Sequence, residues 1–397
     1  MVTLGVSALW VVYAFIASER VTEHRLATHS HAQLEYLSEE LPARADAMQK
    51  LFPEGRVFML ALYGGAWVNV GRRAHQASVR ERARFECRRA LQLLESPQSQ
   101  RPFSVVAGLP HGMFYEAWTN WLRGGCLLLE ADTRLQAQSS GPLIAACARL
   151  AQAFAERGPF VESYPGAAWP ADSVVGAASL SFCAEFVDPR YRASLSSWLQ
   201  AVRERLDPVT GLVPHAANLP GARGSSSALM CAFWPDIDRE FAQSQYQKLL
   251  EQFPDALFGA LAAVREYPHG TDGPADVDSG PIITGISGPA TVVMVAAARG
   301  NGDVETALSL RRASEALGLP FEWSGRRRYG FGLLPIGEAF LAWSSVAEPW
   351  TTQLEPRAAP GAFPGFAWRL RALAALLVSV FGALTYALAR QLRVSRR

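Results

Sequence analysis

The chain of 397 residues carries little charge and almost no lysine. Charged residues make up 19% of it, and Lys50 and Lys248 are its only lysines, so nearly all of the 38 basic residues are arginine. We interpret this arginine bias as a consequence of genome composition. The formal net charge of +2 gives no electrostatic reason to expect nucleic acid as a partner.

The sequence also lacks the short motifs that hold common cofactors. It contains no P-loop, dinucleotide fingerprint, nucleophile elbow or zinc-ligand pattern. The Asp- and Gly-rich stretch 265–281 does not have the ligand spacing of an EF-hand, which argues against calcium. We therefore expect neither a metal nor a cofactor, and a small molecule as substrate.

No pair of cysteines has the CxxC spacing of a metal or redox motif. The five cysteines, an odd number, each lie in an apolar helical context: Cys87, Cys126, Cys147, Cys183 and Cys231. Buried free thiols are the preferred interpretation. One disulfide is the alternative if the protein occupies an oxidising compartment.

Two stretches near the ends of the sequence, residues 1–18 and 372–389, contain no charged side chain. At ~1.5 Å rise per residue, a helix over either stretch would span roughly 27 Å, enough for a thin bilayer. The first stretch has no basic n-region and no small-residue cleavage site, so we predict an uncleaved anchor and not a signal peptide.

Arginines flank the second stretch asymmetrically. Two precede it and four follow it: Arg369, Arg371, Arg390, Arg393, Arg396 and Arg397. This bias predicts a cytoplasmic C-terminus and a periplasmic central domain. The predicted domains are an N-terminal anchor (1–18), a globular domain (19–365), a transmembrane helix (366–392) and a basic cytoplasmic tail (393–397). A homo-oligomer is left open.

The central region has few strand signals and is dominated by helical periodicity. Amphipathic helices, near 20–50, 78–95, 139–157, 190–206, 237–253 and 303–317, alternate with apolar helices that start near 57, 111, 172, 225, 282 and 332. A helix that is apolar all round must be buried, and amphipathic helices cover it. Six such hairpins predict an all-α (α/α)6 toroid, with an open solenoid or irregular bundle as the alternative.

The loops that lead into the apolar helices are long and rich in glycine, proline and ionisable groups. In a closed ring these loops share one face, where a site is expected. The longest loop, 265–281, contains Tyr267, His269 and three aspartates, and it precedes a predicted apolar helix at 282–299. Its alternative interpretation is a solvated loop of turn-forming residues.

Four residues are candidates for acid–base catalysis. Asp172 opens an apolar helix beside Trp169, where a carboxyl group with a raised pKa would act as a general acid; a simple helix cap is the alternative. Asp276 and Asp278 would titrate apart if they lie close together. His111, at another helix start, would be a general base or an orienting donor.

Seven further residues are candidates for contacts with the substrate. They are Tyr164, Trp169, His215, Arg223, Tyr267, His269 and Asp272. Tyr164 and Trp169 would form an apolar or sugar-stacking wall. Arg223, at a helix N-terminus, would bind an anionic group, or form a structural salt bridge.

Short motifs within residues 160–305 resemble one known family. They are Asp172 to Val175 after a Pro-rich loop, Tyr191 with Trp198, Leu206 to Gly211, Gly221 to Ser226, Arg265 with Glu266, Gly270 to Asp272, and Ala297 to Asp303. In their order they resemble the linalool dehydratase/isomerase family, which implies an α/α-toroid fold. His111 matches a family active-site histidine.

One departure from the family pattern concerns its chemistry. The family uses two cysteines in the loop into the third inner helix, but residues 162–172 contain none here. Ala171 stands where one is expected, and Cys183 lies further along the helix. The resemblance therefore implies the fold and the location of the site, and not linalool as the substrate.

These observations predict a membrane-anchored enzyme that performs acid–base chemistry on a small organic substrate. A lyase, hydratase or isomerase is the first interpretation, with Asp172 and Asp276 or Asp278 as acid and base. A glycoside hydrolase-like, carbohydrate-active enzyme is the first alternative. A non-catalytic, membrane-tethered binding or scaffold module is the second, and the missing cysteines favour it.

Overall fold

The computed structural model describes residues 12–13, 15–16, 18–19, 21–130, 133–257, 259–357 and 361–394. Within these residues the chain is mostly helical, which confirms the all-α class. The predicted N-terminal anchor, residues 1–18, lies mainly outside the described residues.

Fifteen helices with defined bounds follow one another along the described chain. In order they are α1 (Glu23–Ser38), α2 (Leu41–Leu51), α3 (Gly55–Arg73), α4 (Ala77–Leu94), α5 (Pro97–Gln100), α6 (Gly112–Leu128), α7 (Thr133–Arg157), α8 (Pro170–Phe186), α9 (Tyr191–Arg203), α10 (Gly224–Phe233), α11 (Arg239–Gln252), α12 (Gly288–Gly300), α13 (Val304–Leu317), α14 (Pro335–Val346) and α15 (Phe366–Val394). The single amphipathic helix predicted at 20–50 is two helices, because Glu40 between them has a left-handed φ of 52°.

Short strands were missed by the sequence patterns. Three two-stranded antiparallel ribbons pair β1 (Pro254–Leu257) with β2 (Leu261–Val264), β3 (Ile282–Ile283) with β4 (Ile286–Ser287), and β5 (Phe321–Trp323) with β6 (Arg326–Arg328). The helix predicted at 282–299 therefore begins only at Gly288, since the isoleucines before it form the second ribbon. These strands are too short for periodicity to distinguish them from a helix end.

Six helices, α3, α6, α8, α10, α12 and α14, are buried on almost every side. In α8 every residue from Pro170 to Leu180 is buried, and its sequence there is mostly small or apolar. Such a helix has no polar face to present to water, so it must lie inside the protein. Each fully buried large apolar side chain contributes about 1.5–3 kcal/mol.

The buried helices form a closed cycle of neighbours. Helix α3 packs on α6, α6 on α8, α8 on α10, α10 on α12, α12 on α14, and α14 on α3. Helices α4, α7, α9, α11 and α13 each follow one buried helix in the chain and pack against it. Helix α1 packs on α14 and α3, so the beginning of the described chain covers the junction between the last buried helix and the first.

A close approach of α3 to α6 depends on one glycine. A Cβ atom at Gly65 would lie only 2.3 Å from Cη2 of Trp121, so no larger residue fits without movement. Trp121 also stacks on Trp350, with ring centroids 4.4 Å apart. The indole of Trp350 donates a 2.8 Å hydrogen bond to Asn69 of α3. The segment after α14 is thereby fixed to the first two buried helices.

The preference for free thiols was wrong for two cysteines. Cys87 of α4 and Cys126 of α6 form a disulfide. Cys147, Cys183 and Cys231 are free and buried, as expected. The sequence could not identify the pair, because the two residues meet only once α4 packs beside α6.

Helix α15 is the one helix in the described residues that is long and apolar enough to cross a membrane. Its window Arg371–Leu388 has a mean hydropathy of 1.8, and none of it is buried against the rest of the protein. An unburied apolar helix of this length supports membrane association at this end of the chain.

Candidate functional site

Loops that precede the buried helices are joined to one another at one end of the molecule. Before α8, Tyr164 donates a short hydrogen bond to Glu54, which precedes α3. In the same loop, the Ser163 hydroxyl accepts a 3.1 Å hydrogen bond from the backbone N–H of Phe114 in α6. These bonds bring the beginnings of α3, α6 and α8 together.

The loops before α10 and α12 lie at the same end of the molecule. The backbone N–H of Ala217, before α10, donates a 3.0 Å hydrogen bond to the carbonyl of Ala168, before α8. The N–H of Gly224 donates a 2.7 Å hydrogen bond to the carbonyl of Glu266 in the loop before α12. The loops before five of the buried helices thus form one connected surface, which is where a site was predicted.

Gly112 allows α6 to begin this close to the neighbouring loop. Its φ is +71°, and a Cβ atom there would lie 2.1 Å from the carbonyl oxygen of Ser163. Only glycine satisfies both the left-handed backbone and the close approach. Gly112 therefore fixes the N–H of Phe114 on the Ser163 hydroxyl, which in turn contacts the central carboxyl group.

Asp172 is that central carboxyl group. Helix α8 begins at Pro170, whose fixed φ suits a first helical position. Asp172 follows in the first turn and is 7% exposed. Its Oδ2 accepts a 2.6 Å hydrogen bond from the Ser163 hydroxyl. Because this hydroxyl already accepts the N–H of Phe114, its single proton is directed at Asp172.

The surroundings of Asp172 favour its neutral form. Burial is the largest effect and raises its pKa to about 7, while the Ser163 hydrogen bond opposes the rise. The negative charges of Asp278 and Glu54 raise the pKa further, and Trp118 lowers it slightly. Asp172 therefore exchanges its proton near neutral pH, as required of a general acid.

Asp278 is the second carboxyl group with a raised pKa. Its side chain is exposed to water yet enclosed by protein atoms on most sides, as expected of a residue in a concave surface. This enclosure raises its pKa to about 6, and the charges of Asp276 and Glu54 contribute while Arg223 opposes them. Asp172 and Asp278, both predicted as catalytic, thus interact with one another.

Glu54 was missed by sequence reasoning. It is the last residue before α3, is half-buried, and accepts the hydroxyl proton of Tyr164. Burial and the negative charge of Glu54 raise the pKa of Tyr164, so this tyrosine stays neutral and acts as a donor. The rule that located Asp172, an acid where an apolar helix begins, would have found Glu54 if applied to the first such helix.

Arg223 lies at the edge of this group and forms two ion pairs, although its buried Nη2 has no hydrogen-bond partner among the described residues. It donates a 2.8 Å hydrogen bond to Glu266, which is completely buried, and a short one to Asp276. Its guanidinium also lies over the ring of Tyr267, 5.2 Å from the centroid. Of the two earlier alternatives for Arg223, an anion site or a structural salt bridge, the contacts match the salt bridge.

Asp276 behaves differently from Asp278 because of this arginine. Burial acts to raise the pKa of Asp276, but hydrogen bonds from Arg223 and from the N–H of Ser279 outweigh it, and the pKa is lowered. The expectation that the two aspartates titrate apart agrees with these directions. Asp276 is the ionised partner of Arg223, and Asp278 keeps a raised pKa.

His215 is held neutral beside the arginine. Its pKa is lowered to about 4, mainly by burial and then by the positive charge of Arg223, against the opposing charge of Asp276. Its Nδ1 lies 3.1 Å from the Ser226 hydroxyl, and its Nε2 lies 3.5 Å from Nη1 of Arg223. Neutral imidazole fits both contacts, with Nδ1 donating and Nε2 accepting.

The remaining predicted residues of the long loop lie at its periphery. Tyr267 donates a 2.8 Å hydrogen bond to the carbonyl of Pro274, which braces the loop. His269 is exposed, and its ring lies 2.9 Å from the carbonyl of Pro254 in β1. Asp272 is 89% exposed and pairs with Arg265. None of these contacts brings His269 or Asp272 to the carboxyl groups.

His111 is the residue before α6, at the same end of the molecule as Asp172. Its ring packs edge-on against Tyr115, with centroids 5.0 Å apart. Its Nδ1 is buried and has no hydrogen-bond partner among the described residues. The position agrees with the predicted site, and a catalytic role for His111 stays a prediction.

Two sets of aromatic side chains lie near the carboxyl groups, since Tyr164 donates to Glu54 and Trp118 acts on Asp172. Tyr164 and Trp169, the predicted wall, pack edge-on at 5.9 Å. A second set was not predicted: Phe58 lies 4.9 Å from Phe114 and 5.2 Å from Trp118, between ring centroids. Phe58 is one helical turn beyond Glu54, and Trp118 lies near enough to Asp172 to lower its pKa, so this set lies beside two of the acids.

Within the described residues, no group of His, Cys, Asp and Glu side chains could hold a metal ion. No protein-family model matches the sequence, and no curated protein is significantly similar to it. The fold and site define a mostly helical protein with a carboxyl-rich end and one candidate membrane-spanning helix.

Proposed function

We propose that the protein is an acid–base enzyme whose catalytic pair is Asp172 and Asp278. The observation that carries this proposal is the convergence of two interacting carboxyl groups with raised pKa values, about 7 and about 6. Between these values Asp172 is mainly protonated and Asp278 mainly ionised. One group then donates a proton while the other accepts one, which is the requirement for elimination, hydration or isomerisation.

The hydrogen bonds of Asp172 indicate where its proton lies. Oδ2 accepts the Ser163 hydroxyl, so the proton of the neutral acid belongs on Oδ1. Oδ1 has no hydrogen-bond partner among the described residues, and it is not fully buried. It is therefore the oxygen from which a substrate would take the proton. Glu54 would hold the substrate on the opposite side.

The fold we propose is the (α/α)6 toroid. It is supported by the closed cycle of contacts among six buried helices and by the outer helices that pack on five of them. The resemblance to the linalool dehydratase/isomerase family would explain both the cycle and the location of Asp172. The missing loop cysteines limit the resemblance to fold and site, so the substrate is assigned from the residues present.

We place this enzyme at a membrane, with its central domain in the periplasm. Helix α15 supports membrane association. The disulfide between Cys87 and Cys126 supports an oxidising compartment for the domain, since such bonds are rare in reducing cytoplasm. The arginines after residue 389 support a cytoplasmic C-terminus.

The test uses the full-length protein in nonionic detergent, incubated with panels of alkenols and of oligosaccharides. Asp172→Asn and Asp278→Asn should each lower any turnover found by a factor of about 10²–10⁴, as for the loss of a general acid or base. Asp188→Asn, just beyond the other end of α8, is the matched control and should leave turnover unchanged. Full activity in both site variants would refute the assignment.

The two panels distinguish the candidate reactions. Conversion of an alkenol would identify a lyase, hydratase or isomerase. Cleavage of an oligosaccharide would identify the glycosidase alternative, which also uses a carboxyl pair with separated pKa values. Turnover of neither panel, with a ligand bound at the site, would favour the non-catalytic binding module.

A further inference from the structure

The carboxyl-rich end carries more negative than positive charge. Five acids lie there, and among the described residues Arg223 is the one basic side chain that forms an ion pair with any of them: Glu54, Asp172, Glu266, Asp276 and Asp278. Arg223 is engaged by Glu266 and Asp276, and His215 is neutral. Among the described residues, the other three acids form no ion pair, and Asp172 is the mainly neutral member of the three. A cation is the ligand that this imbalance favours.

Aromatic side chains lie close to two of these acids, Glu54 and Asp172. Of the residues from Gly55 to Asn69 in α3, all are buried except Phe58. Phe58 is therefore the one residue in this range with a partly exposed side chain, and it lies one turn from Glu54. We call Phe58, Phe114, Trp118 and Phe340 the aromatic floor.

The floor is held by edge-to-face contacts. Phe58 lies at interplanar angles of 69° to Phe114 and 68° to Trp118, and it is 5.6 Å from Phe340 between centroids. Phe114 and Trp118 are buried, so Phe58 and Phe340 are the two rings of the floor with accessible surface, and the face of an aromatic ring attracts organic cations. Phe340, like Phe58, is only partly buried.

One buried polar atom in the floor is unsatisfied. Trp118 is completely buried, and its Nε1 has no hydrogen-bond partner among the described residues. It lies near enough to Asp172 to lower the pKa of that acid, although it makes no hydrogen bond of acceptable geometry with it. A buried N–H donor beside the proton-donating acid is suited to a ligand oxygen.

From these three features we propose that the site binds a small organic cation, a substituted ammonium that also carries a hydroxyl or similar oxygen. The ammonium group would lie between the aromatic floor and the carboxylates of Glu54 and Asp278. The oxygen would face Trp118 Nε1 and Asp172. This inference rests on the proposed function, because it assigns a substrate class to the same site.

The experiment compares choline with its neutral carbon isostere, 3,3-dimethylbutan-1-ol, by isothermal titration calorimetry on the full chain in nonionic detergent. The two probes share shape and hydroxyl group and differ in charge. Choline should bind at least about ten-fold more tightly, which corresponds to one desolvated cation–π contact. Equal affinities, or no binding of choline, would overturn the inference without any variant.

Two variants locate the binding. Phe58→Leu keeps apolar volume but removes the ring, and Glu54→Gln keeps shape but removes the charge. Each should weaken choline binding at least about five-fold and leave the weak binding of the isostere unchanged. The matched controls are Phe186→Leu, at the far end of α8, and Glu240→Gln, on the surface of α11. Equal effects of controls and site variants would also overturn the inference.

The outcomes separate this inference from the proposed function. Choline binding that is lost in Phe58→Leu supports a cation site whether or not turnover occurs. Turnover that depends on Asp172, with no preference for choline over its isostere, retains the acid–base enzyme and rejects the cationic substrate. Calorimetry measures binding alone, so its result can be interpreted even if no turnover is found.

Discussion

The Ser163 hydroxyl donates a 2.6 Å hydrogen bond to Oδ2 of Asp172 and accepts a 3.1 Å hydrogen bond from the N–H of Phe114. The hydroxyl therefore donates its proton to Asp172, and this hydrogen bond stabilises the ionised form of the acid. Burial raises the pKa of Asp172 to about 7 in spite of this bond. Ser163 thus lowers the pH above which Asp172 is ionised.

Ser163→Ala should raise the pKa of Asp172 above its value of about 7, because the carboxylate loses its hydrogen-bond donor. The measurement is a titration of ¹³C-labelled aspartate carboxyl groups by NMR, with Asp172→Asn used to assign the signal. Ser314→Ala, on the outer helix α13, is the control and should leave the titration unchanged. A lower pKa in Ser163→Ala would contradict the role given to the hydroxyl.

Asp172→Asn should stabilise the fold at alkaline pH. The folded-state pKa of Asp172, about 7, lies above the value near 3.9 of an unfolded chain, so the folded state binds more protons between these values. The free energy of unfolding of the native protein must therefore fall as pH rises through this window. Asparagine has no such cost, and at pH 8 the variant should gain roughly 1–3 kcal/mol.

Urea unfolding at pH 5 and at pH 8 measures this effect. The advantage of the variant should be large at pH 8 and small at pH 5, where Asp172 is mostly protonated in the folded state. Asp188→Asn is again the control. An advantage that did not depend on pH would show that Asp172 is not buried as an acid with a raised pKa, and it would weaken the catalytic proposal as well.

The sequence was sufficient to place Asp172 at the start of a buried helix, because Trp169 and Pro170 mark the boundary and the following residues are apolar. It was also sufficient to place Arg223 and the 265–281 loop beside other loops of the same kind. These predictions depend on local patterns that the packing preserved.

Glu54 and Phe58 were not predicted, for a physical reason. Phe58 lies in an apolar run from Val57 to Val68, and composition cannot show which residue of such a run remains accessible. That property depends on where α3 meets α6 and α14. Likewise Ile282 and Ile283 suit a helix or a strand equally well, and their pairing with Ile286 and Ser287 decides for the strand.

Two glycines in helices should respond differently to alanine. Gly65→Ala would place a Cβ atom 2.3 Å from the Trp121 ring, so the variant should lose roughly 1–3 kcal/mol through overpacking. Gly141 in α7 has nothing within 4 Å of the added atom apart from its chain neighbours. Helix propensity favours alanine there while the following Pro142 opposes it, so Gly141→Ala should change the free energy of unfolding by less than about 1 kcal/mol. Thermal unfolding followed by circular dichroism measures both, and a loss in Gly141→Ala as large as that in Gly65→Ala would contradict the packing of α7.

The disulfide between Cys87 and Cys126 allows one experiment to test both the packing of α4 on α6 and the proposed periplasmic location. Cys87 and Cys126 are 39 residues apart in sequence, so their bond closes a long loop between α4 and α6. Replacing both with alanine should lower the free energy of unfolding by roughly 2–4 kcal/mol. The protein expressed in an oxidising compartment should show three alkylatable thiols after denaturation without reductant, and five after reduction, in agreement with the three free cysteines.

Cys231→Ala is the control for these measurements, since it removes a buried thiol without breaking a bond. It should lower the alkylation count by one under both conditions. Five thiols before reduction would show that the domain is reduced, and would contradict both the disulfide and the periplasmic location that it supports. Three thiols before reduction, with a loss of stability in the double variant and none in Cys231→Ala, would support both the disulfide between α4 and α6 and an oxidising compartment.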